Sequence, residues 1–191
     1  FLNKKYIPIE SEDYKVIVAL MERITMKNDK LRPNILSVRI ISNVSDELAN
    51  RLNLGSRNKS IGIITADMDD VTYTGLDEAT KDADVEVVYA RSMYAGSANA
   101  STKLAGEVIG ILSGPSPAEV RSGLSACIKF MENDGYFVSA NEDDSIPYFA
   151  HTVSRTGSFL SKLADIREGE PLAYLIAPPL EAIYGLDAAL K

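Results

Sequence analysis

The sequence predicts an α+β fold: a two-layer βαββα unit, helices on one face of a sheet, begun a second time in the same chain. Three observations carry this. Short apolar runs of high β propensity alternate with stretches of helical periodicity. One helix, in "SGPSPAEVRSGLSACIKFMENDG", has both ends marked. The heptapeptide "GLDEATK" (75–81) returns as "GLDAALK" (185–191), identical at five of seven positions after 110 residues. Each copy follows a strand-like run, so what recurs is a strand-to-helix unit.

In chain order, "ILSVRII" (35–41) is a strand candidate. "SDELANRLNLG" (45–55) follows as a short helix capped by Ser45, with Leu48 and Leu52 on one face and Gly55 as its stop. "IGIITA" (61–66) is a buried strand. A helix runs from about Asp70 to Ala83, burying Leu76, Ala79 and Ala83. "VEVVYA" (85–90) and "GEVIGIL" (106–112) are the next strands. The marked helix has Ser116 at its N-cap, Pro117 at its first position, Glu119 completing a capping box and Gly135 at its end. Val120, Leu124, Cys127, Ile128 and Met131 form its apolar stripe. "LAYLIA" (172–177) and "PPLEAIYGLDAALK" then open the second unit. The counterparts of the later elements do not follow, so the second unit is expected to be incomplete. Residues 1–25 precede Met26, a possible original start. "NKKYIPIE" could be a strand and "SEDYKVIVALMERIT" a helix or strand. They read as unrelated leader, or else as a replacement for part of the second unit.

Composition narrows the function. The chain has 191 residues, 46% hydrophobic and 25% charged, with net charge −7 and a pI near 4.8. An acidic surface disfavours nucleic acid and anionic membranes, which need a basic face. No apolar run approaches the ~20 residues of a membrane span. One cysteine, Cys127, permits no intrachain disulfide, which fits a reducing cytosol. It lies on an apolar stripe and reads as core. His151 is the sole histidine, and a catalytic base needs an oriented partner. "SRTGS" (154–158) lacks the glycine and lysine spacing of a phosphate loop and reads as a turn. No catalytic residue, metal or cofactor is expected.

Two segments invite a functional reading. "RSMYAGSANASTKL" (91–104) is longer than a connection between two strands requires, and is rich in small residues. "TADMDDV" places Asp67, Asp69 and Asp70 where a buried strand meets a helix. They could cap the helix, bind a cation or hold Mg²⁺. Anions at a helix N-terminus gain about 0.3–1 kcal/mol each. One acid suffices for that, and adjacent carboxylates repel, which a bound cation would relieve. Glu107 opens the neighbouring strand and could reach the same end of the sheet. Phe137 offers an aromatic wall for an ammonium group. Asp67, by its parity along the strand, is structural.

Particular stretches go further. "SIGIITADMDDVTYTGLDEATKDADVEVVYARSMYAG", "AGEVIGILSGPSPAEVRSGL", "AHTVSRTGSFLS" and "PLAYLIAPPLEAIYGLDAALK" resemble the EutL-like shell proteins of bacterial ethanolamine-utilisation microcompartments. The resemblance runs from about Arg32 to Lys191. It implies two circularly permuted microcompartment-shell domains in tandem, here 32–145 and the start of a second at 146–191, with 1–31 outside. It implies a homotrimeric, pseudohexagonal tile packed beside other shell proteins in the bacterial cytoplasm, with pores that pass or gate small molecules. It also implies weak ethanolamine binding at Asp69, Asp70, Glu107 and Phe137, and a pore loop with Arg91, Ser92, Tyr94 and Gly96. Two other classes remain open on the residues alone: an Mg²⁺ enzyme built on the three aspartates, and a regulatory domain that senses a small molecule.

Overall fold

A computed structural model of the chain describes residues 29–93 and 107–191. The first sheet has strand order β2-β3-β5-β4, antiparallel throughout, from Ile35–Ile41 (β2), Ser60–Ala66 (β3), Glu86–Met93 (β4) and Glu107–Gly114 (β5). The second has order β1-β6-β7-β8, from Lys30–Leu31 (β1), Phe137–Ser139 (β6), Pro147–Val153 (β7) and Leu172–Ile176 (β8). The helices are Asp46–Arg51 (α1), Asp69–Asp82 (α2), Pro117–Asn133 (α3), Ser158–Ala164 (α4) and Pro179–Ala189 (α5).

Alternation along the central strands sets the layers. Ile64, Ala66, Val108 and Leu112 join Val71, Leu76 and Ala79 of α2 and Val120, Leu124 and Cys127 of α3 in the main core. Ile61 and Ile111, of opposite parity, meet Val44 and the α1 residues Leu48 and Ala49. Thus α2 and α3 share one face, whereas α1 lies on the other. That departs from the expectation of helices on one face only. A six-residue helix with no buried residue is too short to join the main layer, but it shields the apolar rear of β3 and β5.

The caps agree in part with expectation. Ser45 accepts the Leu48 N–H at 3.4 Å, but α1 stops at Asn53, in the left-handed conformation at φ 50°, before Gly55 is reached. Asparagine tolerates that conformation at low cost. Ser116 accepts the Glu119 N–H at 3.3 Å, whereas the Glu119 carboxylate accepts the Asp84 N–H at 2.9 Å. The acid of the expected capping box therefore clamps the α2–β4 turn. Strand β4 continues through Met93, with Arg91 opposite Ile109 and Ser92 opposite Val108. Arg91 and Ser92 are thus ladder residues, not the start of a loop, because β5 supplies partners as far as Glu107.

The two layers are joined through α4. "SRTG" is a turn leading into this helix, and Gly157 is its N-cap without a capping side chain of its own. The buried carboxylate of Asp77, on α2, accepts the Gly157 N–H and the Leu160 N–H, each at 2.8 Å. Thr80 accepts the Ser158 N–H at 3.1 Å. The anion position of this helix end is thus filled from within the protein. A Cβ on residue 157 would lie 2.2 Å from Thr80 Oγ1 and 2.7 Å from the Asp77 carbonyl oxygen, so only glycine permits the approach. Helix α5 carries most of the second copy of the heptapeptide found in α2, without its burial: Leu180, Ile183, Tyr184 and Leu186 are exposed. Among the described residues, no helix is long and apolar enough to cross a membrane.

Candidate functional site

The three aspartates have separate roles. Strand β3 ends at Ala66, and Asp67 turns to β2. Its two carboxylate oxygens accept the backbone N–H and the side-chain Nδ2–H of Asn34, both at 2.7 Å. That is the structural role its parity predicts. Met68 is the N-cap of α2 and makes no side-chain capping bond. Asp69 Oδ1 accepts the Asp70 N–H at 3.0 Å, which is a capping contact within the first turn. Asp70 turns across to the second sheet, where the Tyr174 hydroxyl of β8 donates to its Oδ1.

The electrostatics follow from this placement. Asp70 titrates above the ordinary carboxylate range, chiefly because burial disfavours its charge. The Tyr174 hydrogen bond opposes the rise and the neighbouring Asp69 adds to it. Burial also drives the Tyr174 phenol upward, reinforced by the hydrogen bond to Asp70, so tyrosine remains the donor. Around this pair the rings stand in series. Phe137 stacks on Phe149 with centroids 5.3 Å apart, and Phe149 meets Tyr174 edge-on at 5.5 Å. Phe137 is therefore two rings removed from Asp70. Glu107 opens β5 one position beyond the Ala66–Val108 pair, which puts it at the same end of the sheet as the aspartates.

Of the predicted site residues, the structure brings Asp69 and Asp70 together, sets Glu107 at the neighbouring strand end and links Phe137 through the ring series. Arg91 and Ser92 lie in β4. Tyr94 and Gly96 lie outside the described residues. Tyr174 was missed, although a signal was present. The repeat aligns "LAYLIA" with "GIITAD", putting Tyr174 at the position of Ile64, a fully buried core residue. A hydroxyl where the first copy has only hydrocarbon asks for a partner.

The other chemical candidates are accounted for. Burial pushes the Cys127 thiol up to about 12, so the thiolate nucleophile does not form. His151 stacks on Phe149 at 5.6 Å and meets Phe130 edge-on at 5.2 Å, and burial lowers its pKa. It borders a cleft of about 460 Å³ that also takes in Glu78, Lys81, Lys129 and Asp134. That cleft adjoins the C-terminal end of α2, and the acid pair sits at the other end of the helix, roughly 15–18 Å away at 1.5 Å per residue. Its mixed charges favour no one ligand. Among the described residues, no group of three or more histidine, cysteine or acidic side chains is placed to hold a metal ion.

The described chain is a layered α+β unit whose central sheet is apolar on both faces, and its class is that of a microcompartment-shell domain. The BMC domain family matches residues 60–147. The chain belongs to the EutL family of bacterial microcompartment shell proteins. It is 74% identical over 166 residues to the microcompartment shell protein EutL of Clostridium perfringens, covering 87% of this chain and 76% of that protein. It is 53% identical over 163 residues to EutL of Escherichia coli K12, covering 85% and 74%. The crystal structure of the ethanolamine utilization protein EutL from Leptotrichia buccalis superposes with a TM-score of 0.80 at 66% identity, covering 87% of this chain and 76% of that one. The role is structural, in the shell of a bacterial microcompartment.

Proposed function

We propose that three copies of the chain form a pseudohexagonal, pore-bearing tile, and that the acid site at the head of α2 binds ethanolamine weakly. The repeat supports the tile: two similar units per chain, taken three times, give six positions around a ring. Residues 146–191 are read as the start of the second unit. Closure of such a ring needs heterologous edges, and the exposed apolar side chains of α5 supply contact surface. Native mass spectrometry is expected to show a three-chain species. A monomer at every concentration overturns the tile. Of the residues read as lining the pore, Arg91 and Ser92 would present themselves from the end of β4.

The observation that carries the ligand reading is the placement of Asp70. Its half-buried carboxylate stands beside a second acid and a series of aromatic rings, a setting suited to a primary ammonium. Asp69 and Glu107 supply further acceptors. At about 1.5 kcal/mol per heavy atom, ethanolamine reaches a Kd on the order of tens of micromolar at best. A pore that handles flux tolerates such a weak site, because a tight one would block passage. Calorimetry is expected to show binding by the unsubstituted protein and at least tenfold weaker binding by Asp70→Asn and Glu107→Gln, by loss of a charged partner. Equal binding by all three returns the acids to helix capping. The pH dependence has a definite sign. Binding requires the Asp70 carboxylate, so it is full above the raised pKa and is lost as pH falls through it.

A further inference from the structure

We propose that Tyr174 is the positioning residue of the acid site: its hydroxyl, brought from β8 of the second sheet, fixes Asp70 so that the second carboxylate oxygen faces the ammonium of the ligand. The inference rests on the ethanolamine reading above and deepens it. Three features support it. The ring is set by its edge-on packing against Phe149, which is 1% exposed, so the hydroxyl has little freedom. The hydroxyl donates to Asp70 Oδ1. An ionised carboxylate offers about four acceptor sites on two oxygens, so one phenol bond leaves room for an ammonium. The residue at the aligned position of the first unit is Ile64. Packing alone is therefore met by hydrocarbon, and the hydroxyl is an addition particular to this sheet.

Tyr174 also keeps Asp70 charged where its surroundings oppose charge. The groups that bear on the carboxylate are Asp69, beside it on α2, and Tyr174 on β8. Burial and Asp69 both push Asp70 toward its neutral form, and Tyr174 pushes it back. A neutral carboxyl is a poor partner for a cation. Removing the hydroxyl therefore raises the pH at which the site becomes competent, besides releasing the carboxylate's orientation. It also cuts the hydrogen bond that Tyr174 of β8 makes to the head of α2.

The test is calorimetry of ethanolamine against the full chain from pH 4.5 to 8, with Tyr174→Phe and Asp70→Asn alongside. Phenylalanine keeps the ring against Phe149, and circular dichroism confirms the fold. Tyr174→Phe is expected to bind about tenfold more weakly at pH 7, from loss of a charge-assisted hydrogen bond, and its acid-side midpoint moves to higher pH. Binding equal to the unsubstituted protein with an unmoved midpoint overturns the proposal. So does tighter binding, which would make the hydroxyl a competitor for Asp70. Absence of binding by the unsubstituted protein overturns the ethanolamine reading itself. Carbon NMR of the ligand-free Asp70 carboxyl then decides the remaining point: a midpoint raised in Tyr174→Phe keeps Tyr174 as the residue that controls Asp70, and an unmoved one removes it.

Discussion

Replacing Asp77 by alanine is expected to lower the stability of the chain by about 3–5 kcal/mol, the range for removing one partner from a buried charged network. The side chain is fully buried, and its two oxygens accept separate backbone N–H groups of the α4 turn. Lys81 Nζ lies 3.7 Å from the same carboxylate and is itself largely buried. Alanine leaves the Gly157 and Leu160 N–H groups without an acceptor and Lys81 without this counter-charge, although Glu78 still pairs with it. Asparagine is no conservative substitute. It presents one oxygen and one NH₂, so a donor faces one of the two N–H donors. Both variants are therefore expected to shift the urea midpoint strongly downward. A Asp77→Asn midpoint equal to that of the unsubstituted protein would show that the α4 cap is not what anchors this helix.

The same residue marks the limit of what the sequence reveals. "GLDEATK" and "GLDAALK" have identical spacing, and both make the i, i+4 pair it allows: Asp77 with Lys81, and Asp187 with Lys191 at 2.6 Å. Yet Asp77 is fully buried while the Asp187 side chain is 64% exposed. The motif sets the local geometry. Burial depends on what packs over it, here a turn 80 residues later in the chain. The first sheet was legible because its strands are long and apolar and because α3 carries a cap, a proline and a periodic stripe. In the second sheet, β1 and β6 have two and three residues, too few to show a period. The acid site divided along the same line. Asp69 and Asp70 open α2 just past the end of β3, and Glu107 opens β5, so local patterns can place all three. Tyr174 reaches Asp70 only through the meeting of two sheets, which no local pattern encodes.

The contact between Leu76 and Gly110 makes the second strong prediction. Leu76 is fully buried, and its side chain occupies the space that a Cβ on residue 110 would take, 2.6 Å from Cδ1 and 3.0 Å from Cδ2. A helix knob thus sits in a notch of the central sheet. Leu76→Ala is expected to cost about 2–5 kcal/mol, from lost transfer energy and the cavity left in a core that relaxes little. Gly110→Ala forces a methyl into the leucine and is expected to cost roughly 1–3 kcal/mol by overpacking. The two changes are complementary, since the new methyl enters the volume the leucine vacates. The double variant should therefore be more stable than the sum of the singles implies, by at least ~0.5 kcal/mol, within the range for residues in contact. Denaturant unfolding of the three variants measures that coupling. Additivity would mean that the helix shifts away from the sheet in the single variants, and that the notch does not set the distance between α2 and β5.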